Sequence, residues 1–134
     1  MAETLELEIV TPDRLVVKVQ VEEVQVPAKR GYIGVLPGHA PLITELAVGE
    51  VSYRTGATTE RVSLAWGFAE VLPNKVTILA ETAERSEDID VERAEAARTR
   101  AEKLFSEAVS GEDYDNALAV LQRANTRLEV AGKK

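Results

Sequence analysis

Gly31-Tyr-Ile-Gly-Val-Leu-Pro-Gly-His-Ala-Pro41 sets three glycines, two prolines and the only histidine of the chain around a short apolar run. Glycine supplies backbone angles with φ > 0, and proline fixes φ and removes a donor, so residues 37–41 read as a shaped turn. A rigid turn on an extended scaffold suits a contact surface. The plainer reading is a turn that only reverses the chain. On either side the sequence reads as strand, as far as about residue 84.

Upstream, Leu5, Leu7 and Ile9 alternate with Glu6 and Glu8, the period of a strand with one buried and one wet face. Thr11-Pro12-Asp13 ends it. Leu15 to Val21 and Val24 to Val26 read as further strands, with Pro27 stopping the run and the adjacent Glu22 and Glu23 pointing to opposite faces into solvent. Downstream come Leu42 to Leu46, then Gly49 to Tyr53, a turn at Thr55-Gly56, and an alternating Val62, Leu64 and Trp66. Gly67 marks a bend or bulge, and Phe68 to Leu72 and Val76 to Ala80 flank a tight connection at Pro73-Asn74-Lys75. This spacing predicts a β-sandwich or flattened barrel of about 8–10 short strands over residues 1–86.

The texture changes after Glu84. Val91, Ala94, Ala97, Ala101, Leu104, Phe105 and Ala108 form a stripe of helical period, with Asp90 placed to cap it. After a break at Ser110-Gly111-Glu112-Asp113, where Ser110 or Asp113 can cap, the pattern resumes with Tyr114, Ala117, Leu118, Leu121, Ala124, Leu128 and Ala131. Residues 87–134 are therefore expected to form an antiparallel two-helix hairpin. Its stripes are rich in alanine, which buries little apolar area, so the hairpin is expected to be a detachable appendage.

Composition narrows the chemistry. The net charge of −7 disfavours nucleic acid, whose phosphates need a basic face. No cysteine is present, which removes disulfide and thiolate chemistry, and no apolar run approaches the ~20 residues that span a bilayer. The N-terminal sequence lacks the basic and apolar regions of a signal peptide. His39 has no second histidine to complete a metal site, and no phosphate loop, nucleophile elbow or carboxylate pair stands out. Neither catalytic nor metal-binding residues are expected.

The hairpin arginines are a stronger candidate. Arg93 falls in the first helical turn, where the helix dipole disfavours a cation, so an acidic partner is expected. Arg93 and Arg100 share a face of the first helix, and Arg123 and Arg127 share one of the second. Folded together, the four could form an edge that binds a polyphosphate. The alternative is local pairing, Arg93 with Asp90 or Glu87 and Arg127 with acids of the sandwich or near Asp113; Arg98, on the other flank, fits only local pairing.

Three blocks in order, Gly31 to Thr44, Gly67-Phe-Ala-Glu-Val71 and Asn74 to Arg85, resemble the epsilon subunits of bacterial and chloroplast F-type ATP synthases, and the resemblance runs along essentially the whole chain. It implies a β-sandwich that binds the foot of the gamma subunit and the polar loops of the membrane c-ring, with Gly31, Gly38, His39, Pro41 and Leu42 on the docking surface. It implies a hairpin that folds down, or extends along gamma into the alpha/beta head and inhibits ATP hydrolysis. The family's ATP motif, Ile/Leu-Asp-x-x-Arg-Ala, stands here as Ile89-Asp90-Val91-Glu92-Arg93-Ala94, and its further arginines map onto Arg100, Arg123 and Arg127. Lys29-Arg30 stand where some relatives carry an acidic residue.

The resemblance thus implies a non-catalytic coupling subunit of a proton-translocating synthase, peripheral on the cytoplasmic face of a bacterial inner membrane. It requires no cofactor and takes ATP as a regulatory ligand bridging Asp90, Arg93, Arg100, Arg123 and Arg127. Two rivals differ in what they bind: a free-standing ATP sensor would have no affinity for gamma, and a small β-sandwich enzyme would depend on His39.

Overall fold

The computed structural model describes residues 3–132. Eight strands come first: β1 (Leu5–Val10), β2 (Leu15–Val21), β3 (Glu23–Ala28), β4 (Gly31–Val35), β5 (Leu42–Leu46), β6 (Gly49–Thr55), β7 (Thr58–Leu72) and β8 (Lys75–Arg85). A 3-10 turn at Ser86–Asp88 leads to α1 (Val91–Glu107) and α2 (Gly111–Gly132). The strands bond in the order β2-β1-β8-β7-β5-β3-β4, and β6 folds the sheet back on itself by pairing with both β3 and β7. The result is the expected sandwich around one apolar core, followed by the expected helical hairpin.

Alternation builds the core. Leu5, Leu7 and Ile9 are buried, while Glu6 and Glu8 stay at the surface, where Lys75 Nζ lies 3.2 Å from Glu8 Oε2. Val24, Val26, Val51, Val62, Leu64, Val76 and Ile78 complete the interior, each of them fully buried.

Three local expectations are corrected. Pro27 does not end its strand: it pairs with Tyr32 across the β3–β4 ladder, and its carbonyl accepts from Ala47 N at 2.9 Å, a bond that needs no proline donor. Val62 to Trp66 and Phe68 to Leu72 are not separate strands but one strand of 15 residues. Gly31–Val35 is strand β4, and residues 36–41 form the connection to β5, close to the turn read at 37–41. Glu22 and Glu23 do not both go free into solvent. The chain bends at Glu22, and both carboxylates reach Arg54, with Glu22 Oε2 at 2.8 Å and Glu23 Oε2 at 3.5 Å.

Glu22 also accepts from Gly56 N at 2.8 Å, fastening the β6–β7 turn. That backbone N–H first, and the Arg54 guanidinium second, hold the Glu22 carboxyl below its ordinary 4.5. A carboxylate depressed in the folded state adds stability above its unfolded pKa and loses it as pH falls through the folded value. The Gly56 amide resonance should therefore titrate with a midpoint below 4.5. A midpoint at or above that value would mean the turn is not held by Glu22.

In the hairpin, Asp90 caps α1 as expected, its Oδ1 accepting from Arg93 N at 3.1 Å. Of the two candidate caps for α2 it is Ser110 that serves, its Oγ accepting from Asp113 N at 3.1 Å. The break is correspondingly shorter, residues 108–110, with Asp113 already inside the helix. Ala94 and Ala101 of α1 are buried, as are Ala117 and Ala124 of α2, so the helices meet through small side chains. Val91, Leu104, Tyr114 and Leu118, expected in the stripes, are exposed. At the tip the Phe105 and Tyr114 rings approach to 4.2 Å between centroids. The helix that packs on the sandwich is α2, across β7 and β6, and it ends with Val130 and Ala131 against Ile89.

Candidate functional site

Two surfaces carry candidate residues: the outer face of the sandwich beside the 36–41 loop, and the arginines of the hairpin. The outer face follows from strand register. Glu45, Phe68, Leu79 and Val10 are successive partners across β5, β7, β8 and β1, and Ile43, Glu70, Thr77 and Glu8 form the next row. Because Leu46, Ala69 and Ile78 are buried at inward positions, Ile43, Phe68 and Leu79, each an odd number of residues away along the same strand, must point out. They are 71%, 54% and 56% exposed. A groove of about 510 Å³ runs along this face between Pro12, Phe68, Leu79 and Trp66. A contiguous apolar strip of this kind, edged by glutamates, is the chemistry of a protein-docking surface.

The loop at the edge of this face is shaped by its own bonds. Gly38, at φ 89, donates its N–H to Pro73 O at 2.7 Å and so ties the loop to the β7–β8 turn. His39 N donates to Leu36 O at 3.2 Å, and His39 Nδ1 lies 2.7 Å from the carbonyl of Ala40. An acceptor there requires the proton on Nδ1. Pro41 and Leu42 are exposed as the chain enters β5, and Gly31, at φ 136, opens β4 after the Lys29-Arg30 turn. Lys29 pairs with Glu45, joining the turn to the docking face.

The arginines divide. Arg127 Nε donates to Glu84 Oε1 of β8 at 2.6 Å, with both side chains largely covered. Arg123 lies over the Trp66 ring, 5.1 Å from its centroid. Arg93 and Arg100 are exposed on α1 with no ion pair among the described residues, and Arg98 pairs with Glu102 one turn on. Local pairing with a sandwich acid thus holds for Arg127. It does not hold for Arg93: Asp90 accepts its backbone N–H, and Glu87 instead lies 2.7 Å from Arg85 Nη2.

The alternation of Val62, Leu64 and Trp66 breaks at its last member. Inward positions on β7 run Val62, Leu64, then Ala69, Val71, so the parity changes between them. Trp66 at φ 49 and Gly67 at φ 151 make that change. A bulky residue at positive φ costs about 1–3 kcal/mol and persists only where its surroundings hold it. Before the bend, Ser63 and Ala65 on the opposite face are buried too, under α2. Alternation could not show this, because Val62-Ser63-Leu64-Ala65 keeps the period of a half-wet strand, and Ser63 and Ala65 are covered only once α2 lies over them.

Among the described residues no cluster of His, Cys, Asp or Glu could hold a metal, and no helix is long and apolar enough to cross a membrane.

Against known proteins, residues 4–86 match the family described as ATP synthase, Delta/Epsilon chain, beta-sandwich domain, and residues 87–132 its long alpha-helix domain. The chain is 48% identical over 134 residues to the ATP synthase epsilon chain of Solibacter usitatus, covering all of both proteins. To that of Koribacter versatilis it is 65% identical over 103 residues, 77% of this chain and 72% of the other. In fold it resembles a chain in the mitochondrial ATP synthase of Euglena gracilis, with TM-score 0.80 at 24% identity, covering 96% of this chain and 81% of that one.

Proposed function

This chain belongs to the family of ATP synthase delta/epsilon chains, and on that premise we propose that it works in the central stalk as the piece that joins gamma to the c-ring. It is a non-catalytic subunit of the complex. The observation that carries the docking role is the apolar patch of Ile43, Phe68 and Leu79, over two adjacent rows of the outer face, beside the bonded loop that presents His39. In this reading gamma covers the apolar patch, and the polar loops of the c-ring meet Gly31, Gly38, His39, Pro41 and Leu42. The subunit then sits at the membrane periphery of a proton-translocating synthase, touching lipid nowhere. The purified chain should form a one-to-one complex with gamma; failure to bind gamma at micromolar concentration would overturn the reading.

The regulatory half of the proposal concerns the hairpin. Arg93 and Arg100 are exposed and without ion pairs among the described residues, so both are available to phosphate oxygens. ATP held by Asp90, Arg93, Arg100, Arg123 and Arg127 would favour the compact hairpin, and its loss would let the hairpin extend toward the alpha/beta head. Such a ligand biases the equilibrium by its differential affinity, about 2.7 kcal/mol at a hundredfold excess over Kd. Calorimetry should show saturable ATP binding that is lost in Arg93→Ala and in Arg127→Ala. No heat up to millimolar ATP would remove the nucleotide from the proposal and leave the docking role standing.

A further inference from the structure

Arg123 and Arg127 lie one turn apart on α2, and each finds its partner on the sandwich rather than on the hairpin: Trp66 of β7 for the first, Glu84 of β8 for the second. Where α2 crosses β7 the strand offers the small, buried Ser63 and Ala65, which lets the helix lie close to the sheet. Glu84 is the register partner of Ser63, so it rises on that same covered face. Trp66 is fixed by its backbone: φ 49 beside Gly67 at φ 151, with its N–H donating to Ala47 O at 3.3 Å.

We propose that Trp66 and Glu84 form a latch, carried by the sandwich, that holds α2 down by taking both of its guanidiniums without help from any nucleotide. The two halves use different physics. Glu84 offers a charge-assisted hydrogen bond in a largely covered site, and Trp66 offers an aromatic face that attracts a cation without being ionised itself. The inference does not depend on ATP binding, because both contacts are internal to the chain.

The test is amide hydrogen exchange on the full chain in nucleotide-free buffer, read separately for α2 and for β7 and β8. In the double variant Trp66→Leu, Glu84→Gln, the α2 amides near residues 117–128 should exchange about tenfold faster or more, with the strands unchanged. Trp66→Phe, which keeps an aromatic face, should retain most of the α2 protection. Unchanged α2 exchange in the double variant would overturn the latch, and so would equal loosening of the strands, which would make the two residues part of the sandwich's own stability. A second readout avoids altering the sandwich. Trp66 is the only tryptophan, so Arg123→Ala should shift its emission to the red as α2 lifts, and an unmoved emission spectrum would count against the proposal.

Discussion

Gly67→Ala should lower the unfolding free energy by about 3–5 kcal/mol, seen as a fall in the urea midpoint with the slope preserved. A Cβ built at this position would lie 2.0 Å from the carbonyl oxygen of Leu79 and 2.9 Å from Ala80 Cα, both backbone atoms of the neighbouring strand. No side-chain rotation can relieve that clash, and φ 151 is a conformation alanine rarely adopts. The position is also where β7 leaves β6 for β5, so distortion there disturbs two ladders at once. Gly34→Ala is the matched control: it lies in β4 with nothing within 4 Å of the added atom and no positive φ, and should change the midpoint little. Similar shifts in the two variants would show that the bend does not depend on glycine.

Phe68→Glu should weaken binding to gamma by about thirtyfold or more, the scale of an interface hot spot, while leaving the urea midpoint nearly unchanged. Phe68 stands between Glu45 and Leu79 in one register row and is more than half exposed, so the folded chain loses little by the exchange. In a covered interface the new carboxylate would be desolvated beside Glu45, whose partner Lys29 is already engaged. Ile43→Glu, in the next row, should act in the same direction. If both variants bind gamma like the wild type, gamma docks elsewhere and the apolar patch has another occupant.

Much of the sandwich was legible because half-buried strands write their burial at period two. Leu5 to Ile9 and Leu42 to Leu46 stand where that pattern puts them. The docking patch was legible in principle: adjacent apolar residues such as Ile78-Leu79 cannot both face one core, so one must face out. The misses share a cause. Pro27 stayed in its strand because a ladder asks of that position only an acceptor, and Glu22 and Glu23 converged on Arg54 because a bend, invisible to alternation, turned one of them. Leu104 fell outside the helix interface because paired alanines bring α1 and α2 close and leave bulkier side chains at the flank.

By itself the sequence determined the local facts: strands before residue 85, two capped helices after it, a glycine at the bend, and four arginines on two helical faces. Each depends on spacing along the chain, which periodicity and backbone preference record directly. The tertiary structure alone decided which helix lies on the sandwich and what its arginines hold. Glu84 and Arg127 are 43 residues apart, and Trp66 and Arg123 still farther, so nothing local links them. Their pairing follows from a strand that changes face at Trp66 and from the small Ser63 and Ala65 that let a helix approach it.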